Sequence, residues 1–171
     1  MNIHLLSFGF NYAGTPYELA GCEPDARRFN RRLSPYCASS TLVTGMGTKR
    51  RPCENVDDML SIARKVRHRL DEGDLMVITQ SSHGTWEKTS DTSESSGGNQ
   101  GIVAPDFSVL WDDRLAAECA DRAKGSFIFS IIDCCHPGSI QRGGLACCGR
   151  KRGIPLDRCK ATRHVPTGLQ M

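Results

Sequence analysis

Asp74-Leu75-Met76-Val77-Ile78-Thr79-Gln80-Ser81-Ser82-His83-Gly84 is the segment from which the architecture of this chain follows. An apolar run of strand length ends abruptly in two serines, a histidine and a glycine. Further along, a second run, Phe127-Ile128-Phe129-Ser130-Ile131-Ile132, ends in Asp133-Cys134-Cys135-His136-Pro137-Gly138. Two strands that run into a histidine and a cysteine can set base and thiol side by side at one sheet edge. That is the minimum geometry for a cysteine nucleophile.

Outward from these runs, strands and helices alternate. Residues 3–10 form a β-prone run closed by Asn11-Tyr12-Ala13-Gly14-Thr15-Pro16. Residues 23–33 are helical, with Ala26, Phe29 and Leu33 on one face and arginines on the other. Residues 41–44 make a short strand. Asn55 caps a helix through about residue 71, whose Val56, Met59, Leu60, Ala63, Val66 and Leu70 trace one buried stripe. Gly73 ends it, and the 74–80 strand follows. Residues 87–100, polar and rich in Ser and Gly, read as a mobile surface loop, and 101–104 as a brief extended piece. Asp112 and Asp113 open a helix through Lys124, acids at its positive end. Such alternation predicts an α/β fold, a mostly parallel sheet with helices on both faces. Ligands collect beyond the carboxyl ends of those strands, where strand order reverses.

The 171 residues fit one domain with a sizeable core. No apolar stretch reaches membrane-helix length, which excludes a spanning segment of that kind. The start lacks a basic leader region and reads as a first strand, not a signal peptide. Nine cysteines, an odd number, then fit a reducing, cytoplasmic setting better than a disulfide framework. The net charge of +3 is uneven: from Gly138 onward seven Lys and Arg face one acid, Asp157, so the rest of the chain is acidic.

A thiol attacks a carbonyl well only when ionised, and a neighbouring imidazole raises that fraction. Of the five histidines, His83 occupies a strand-end loop equivalent to that of the cysteine pair. His136 adjoins Cys135, but successive side chains of an extended segment point opposite ways. His4, His68 and His164 read as structural or solvated. Cys134 reads as a core thiol and Cys135 as the nucleophile. Gly84 leaves room for a substrate carbonyl and offers its own amide, and Gly138 lets amides converge near the thiol.

These residues resemble the metacaspases. Phe8-Gly9-Phe10-Asn11-Tyr12 with Gly14-Thr15, and Glu18 through Ala26, resemble the family's amino-terminal block. Ser81-Ser82-His83-Gly84 resembles its histidine block and Asp133 through Gly138 its nucleophile block, with His83 about 50 residues before Cys135. The resemblance covers residues 3–140, the large-subunit region, and implies a caspase-like three-layer α/β/α sandwich over residues 1–140. It further implies a cysteine endopeptidase active in programmed cell death, with His83 as base, Cys135 as nucleophile, and the Cys135 and Gly84 amides as oxyanion hole. It makes Cys22, Asp25, Ser81 and Asp133 an acidic pocket for Arg or Lys. On the residues alone Asp25 reads as a helix-start carboxylate and Asp133 as a strand-end acceptor. The family's calcium site maps to Asp112, Asp113 and Asn99. Calcium prefers several anionic oxygens, so with Asn99 neutral, dependence is expected to be weak or absent. No organic cofactor is implied.

Pro137 departs from the family's usual serine and stiffens that loop. After Ser139 no small-subunit pattern is read. Residues 141–171 are a basic, Cys-containing tail, and the 126–132 strand is left as an open edge for the tail, a separate small subunit or a second copy. Gly149-Arg150-Lys151-Arg152-Gly153 is solvated tail, a self-cleavage site, or a nonspecific polyanion contact. Partners are peptides with basic residues, with no specific nucleic acid and no membrane. Two other readings stay open. One is a catalytically impaired caspase-like scaffold. The other is a zinc-binding module built on Cys134, Cys135, His136, Cys147, Cys148, Cys159 and His164.

Overall fold

The computed structural model describes residues 1–45, 53–88 and 98–134. Four strands, β1 (Ile3–Gly9), β2 (Ser39–Thr44), β3 (Leu75–Ser81) and β7 (Phe127–Asp133), form a wholly parallel sheet in the order β2-β1-β3-β7. Between them lie α1 (Cys22–Leu33), α2 (Val56–Arg67) and α3 (Asp112–Ala120). The chain steps from β1 to one side and then returns to the other, so strand order reverses between β1 and β3. That reversal opens a crevice beyond their carboxyl ends.

Alternation along β1 sorts the two faces. A Cβ added at Gly9 would lie 2.5 Å from the Cys22 carbonyl oxygen and 2.6 Å from Ala26 Cβ, so α1 covers the face shared by Leu5, Ser7 and Gly9. Only glycine permits so close an approach of helix to strand. The opposite face, with Leu6, Phe8 and Phe10, packs with Val56, Met59, Leu60, Ala63 and Val66 of α2. The stripe read from the sequence is buried throughout, and the Asn55 side chain accepts from the Asp58 amide at 3.0 Å, as its cap position requires. Beside α2 lies α3: Arg64 and Arg67 reach Glu118 at 2.8 and 3.2 Å, and Arg114 reaches Asp57 at 2.7 Å. The result is the three-layer α/β/α arrangement with a mostly parallel central sheet.

Two expectations are corrected. The polar 87–100 stretch is not loop throughout: β4 (Gly84–Lys88) pairs antiparallel with β5 (Gly98–Val103), and β5 with β6 (Val109–Trp111), making a second, three-stranded sheet. Gly98 sits where a side chain would strike the Trp86 ring, and Gln100 is buried, so cross-strand packing overrides a loop-like composition. Residues 89–97 lie outside the described set. The α1 face is also less buried than its pattern implies. Phe29 is partly exposed, and on the same sheet face Phe127 and Phe129 of the edge strand β7 are 60% and 40% exposed. Among the described residues no helix is long and apolar enough to cross a membrane.

Candidate functional site

The loops leaving β1 and β3 meet at the reversal point. Phe10 continues the ladder, its amide donating to the Ser81 carbonyl at 3.0 Å. Asn11 then anchors two segments: its carbonyl accepts from the Leu19 amide at 2.7 Å, and its side chain accepts from Glu23 N in the first turn of α1 at 3.0 Å. Between these anchors the chain folds into turns, with Thr15 Oγ1 donating to the Tyr12 carbonyl and accepting from the Tyr17 amide. The loop is thereby held over the end of β3.

What it delivers there is a carbonyl. His83, 5% exposed, places Nε2 2.7 Å from the Tyr17 backbone oxygen. A carbonyl only accepts, so Nε2 carries the hydrogen, and in the neutral ring Nδ1 is the basic nitrogen. The Tyr12 ring packs against the imidazole at 4.7 Å between centroids. Tyr12 Oη accepts from the His83 amide at 3.1 Å and donates to the Val103 carbonyl at 2.6 Å. Burial pushes the Tyr12 hydroxyl well above the usual phenol range, against the opposing pull of the His83 amide and the Ser82 hydroxyl. It therefore stays protonated, a fixed donor and acceptor.

Gly84 is buried and opens β4 opposite Ile102. The Val103 amide donates to the His83 carbonyl at 3.0 Å, which makes 83/103 a hydrogen-bonded pair. Antiparallel pairs alternate, so 84/102 is a non-hydrogen-bonded pair and the Gly84 amide points away from β5.

The pocket residues divide. Ser81 pairs in register with Gly9 on one side and with Asp133 on the other, which puts both side chains on the α1 face. They line an open cleft of ≈ 320 Å³ together with Thr79 and Ile131 from the strands and Ala26 and Phe29 from α1. Cys22 is buried at the start of α1. Asp25, one turn on, is half-exposed and held by Arg28 at 3.2 Å. Cys134 is buried in the core cluster, as read. Cys135, the candidate nucleophile, lies outside the described residues, as does the tail with its basic cluster and every zinc candidate except Cys134. Cys37, Cys53 and Cys119 are free thiols whose ionisation burial disfavours, Cys53 being pushed up to about 12 with help from Asp58 and Asp106.

Asp112 and Asp113 begin α3, and Asn99 lies in β5 at the same end of the β5–β6 pairing. Asp112 is buried with one oxygen accepting the Asp113 amide at 3.1 Å, Asp113 is exposed, and Asn99 is neutral. Among the described residues no three His, Cys, Asp or Glu side chains gather to hold a metal ion. This donor set does not fit a calcium cage, which takes six to eight oxygens.

A histidine at the reversal point of a parallel α/β/α sheet, beside a strand that leads to a cysteine pair, defines the caspase-like class of fold. The metacaspase, peptidase C14 domain family matches residues 5–142, and the chain belongs to that family. It is 29% identical over 144 residues to metacaspase-1 of Plasmodium falciparum (isolate 3D7), covering 78% of this chain and 24% of that protein. Metacaspase-8 of Arabidopsis thaliana is 25% identical over 165 residues, covering 90% and 42%. The chain thus spans well under half the length of these relatives. The crystal structure of protein GSU0716 from Geobacter sulfurreducens superposes with a TM-score of 0.63 at 23% identity, over 82% of this chain and 53% of that one, a likeness of fold.

The sequence pointed to His83 and missed its two supports. Tyr17 contributes through its backbone, which leaves no mark in a side-chain pattern. Tyr12 stood in the amino-terminal block that carried the family resemblance, and its place in that block was the available signal.

Proposed function

We propose that the chain is the large-subunit part of a cysteine endopeptidase that cleaves after Arg or Lys. The observation that carries the reading is the 2.7 Å contact from His83 Nε2 to the Tyr17 carbonyl, which puts the ring hydrogen on Nε2 and makes Nδ1 the basic nitrogen at the sheet's reversal point. His83 Nδ1 takes the proton of the Cys135 thiol, and the thiolate adds to the peptide carbonyl. The Gly84 and Cys135 amides hold the oxyanion, for which the outward direction of the Gly84 amide is suited. As the tetrahedral intermediate collapses, the C–N bond breaks and the imidazolium returns its proton to the leaving amine. His83 then deprotonates water, which cleaves the thioester and releases acid and free thiol.

Ser81 and Asp133 in the cleft, with Cys22 and Asp25 at the start of α1, supply the acidic character that a cationic side chain needs and an aspartate would meet as repulsion. The exposed Phe127 and Phe129 on β7 favour a covering partner, a separate small subunit or a second copy. That edge, unpaired among the described residues, also favours a second reading, in which the isolated chain is a non-catalytic scaffold. A thiol nucleophile suits a reducing compartment, and cytoplasm is the proposed setting.

The test is turnover of matched Arg-, Lys- and Asp-ending fluorogenic peptides, with calcium or chelator, for the wild type and Cys135→Ala. Cleavage of the Arg and Lys peptides alone, abolished by the substitution and little changed by calcium, is expected. The same preparations, incubated and weighed by mass spectrometry, show whether the tail is cut at its basic cluster. Folded protein that turns over none of the peptides supports the scaffold reading.

A further inference from the structure

We propose that Tyr12 is the positioning residue for His83, holding the imidazole in place and in one tautomer from inside the β4–β5 ladder. This rests on reading His83 as the base. In an antiparallel sheet a hydrogen-bonded pair exchanges two N–H···O=C bonds. The register 85/101 and 84/102 makes His83 and Val103 the next pair. One of their bonds is present, Val103 N to the His83 carbonyl at 3.0 Å. The other is replaced by a relay: the His83 amide donates to Tyr12 Oη at 3.1 Å, and Tyr12 Oη donates to the Val103 carbonyl at 2.6 Å. A side-chain hydroxyl from the β1 loop is spliced into the strand pair where the histidine departs from it.

Backbone strain marks the same place. Among the described residues two non-glycine residues have left-handed backbone, Tyr12 at φ 52° and Phe107 at φ 68°, and their rings stack on each other at 5.7 Å. Strain of this kind persists only where the surroundings over-determine it, and it concentrates at functional sites. Phe107 also meets the Tyr17 ring edge-on at 5.7 Å. Tyr17 in turn provides the carbonyl that accepts from Nε2, so one aromatic set braces both the backbone and the ring of His83. A phenylalanine at position 12 would fill the same volume, so the hydroxyl is required for the relay and not for packing.

The test is Tyr12→Phe in the full chain, followed by long-range proton–nitrogen NMR of the His83 ring at neutral pH and by peptide turnover. The wild type should show the Nε2–H tautomer alone. The variant should show mixed tautomers, with kcat down about tenfold and KM within about twofold, the pattern of a misplaced group and not of lost substrate binding. Phe107→Leu keeps the relay and removes the bracing ring. It should shift the same signals less, and it stands in if Tyr12→Phe does not fold. A His83 spectrum unchanged in a folded variant overturns the proposal. A wild type that cleaves no peptide, with tautomers still mixed in Tyr12→Phe, retires the peptidase reading and leaves the role of Tyr12 supported.

Discussion

The parallel sheet has a buried histidine at each end, and the two are built differently. At the amino-terminal end His4, 7% exposed, places Nδ1 2.9 Å from Ser39 Oγ and Nε2 3.6 Å from Asp74 Oδ2. Serine, histidine and aspartate are the kit of a serine hydrolase. Yet Asp74 already accepts the Asn2 amide at 2.7 Å and the Asp71 amide at 3.1 Å, and the group ties together the starts of β1, β2 and β3. His83 at the carboxyl end is oriented through Nε2 by the Tyr17 backbone carbonyl, and it stands where parallel sheets collect ligands. Residue types do not distinguish a staple from a candidate base. Location on the sheet, and what already occupies the neighbouring oxygens, do.

The largest expected effect breaks this symmetry directly. His83→Ala should lower kcat by about 10³-fold, the scale of a lost general base. His4→Ala should leave kcat within about twofold and lower unfolding free energy by about 1 kcal/mol, the size of one net hydrogen bond. Parallel kinetics and urea melts of the two variants check both halves, and a reversed pattern would exchange the roles.

Next in size is Gly9→Ala, at the carboxyl end of β1. Its added methyl meets a backbone oxygen at 2.5 Å, which no rotamer change can relieve, so a loss of about 1–3 kcal/mol is expected in the urea midpoint. Gly45→Ala is the control, since its methyl meets nothing closer than Glu23 Oε1 at 3.6 Å.

The smallest effect is a pH dependence confined to the staple. The Asn2 and Asp71 amides hold the Asp74 carboxyl below its ordinary value of 3.8, and nearby His4 adds to the shift. A carboxyl depressed on folding contributes stability that is full above its unfolded value and is lost as pH falls through its folded value. Urea midpoints of the wild type should therefore decline on acidification below about pH 4. Asp74→Asn should flatten part of that decline, and identical acid limbs in the two proteins would remove Asp74 from the account.

Local features of the fold were legible in the sequence. Periodicity found the α2 stripe and its Asn55 cap, and apolar runs ending in polar loops found β1, β3 and β7. The second sheet was hidden because Gly98, Asn99 and Gln100 look like loop until Trp86 lies across from them. The His4–Asp74 contact joins residues far apart in the chain, so neither residue signals the other. At the site, His83 was legible as a side chain at a strand end, while the carbonyl of Tyr17 was not. Phe29 reads as a core position from its helical spacing, but its burial depends on what covers the β7 side of the sheet.

Activation of the Cys135 thiol by His83 is tested by alkylation kinetics, without any substrate. Iodoacetamide modification of Cys135, followed by peptide mass spectrometry from about pH 5 to 9, should in the wild type be fast well below the free-thiol value of about 8.5. In His83→Ala it should follow an ordinary thiol. Superimposable pH profiles in the two proteins would contradict the account.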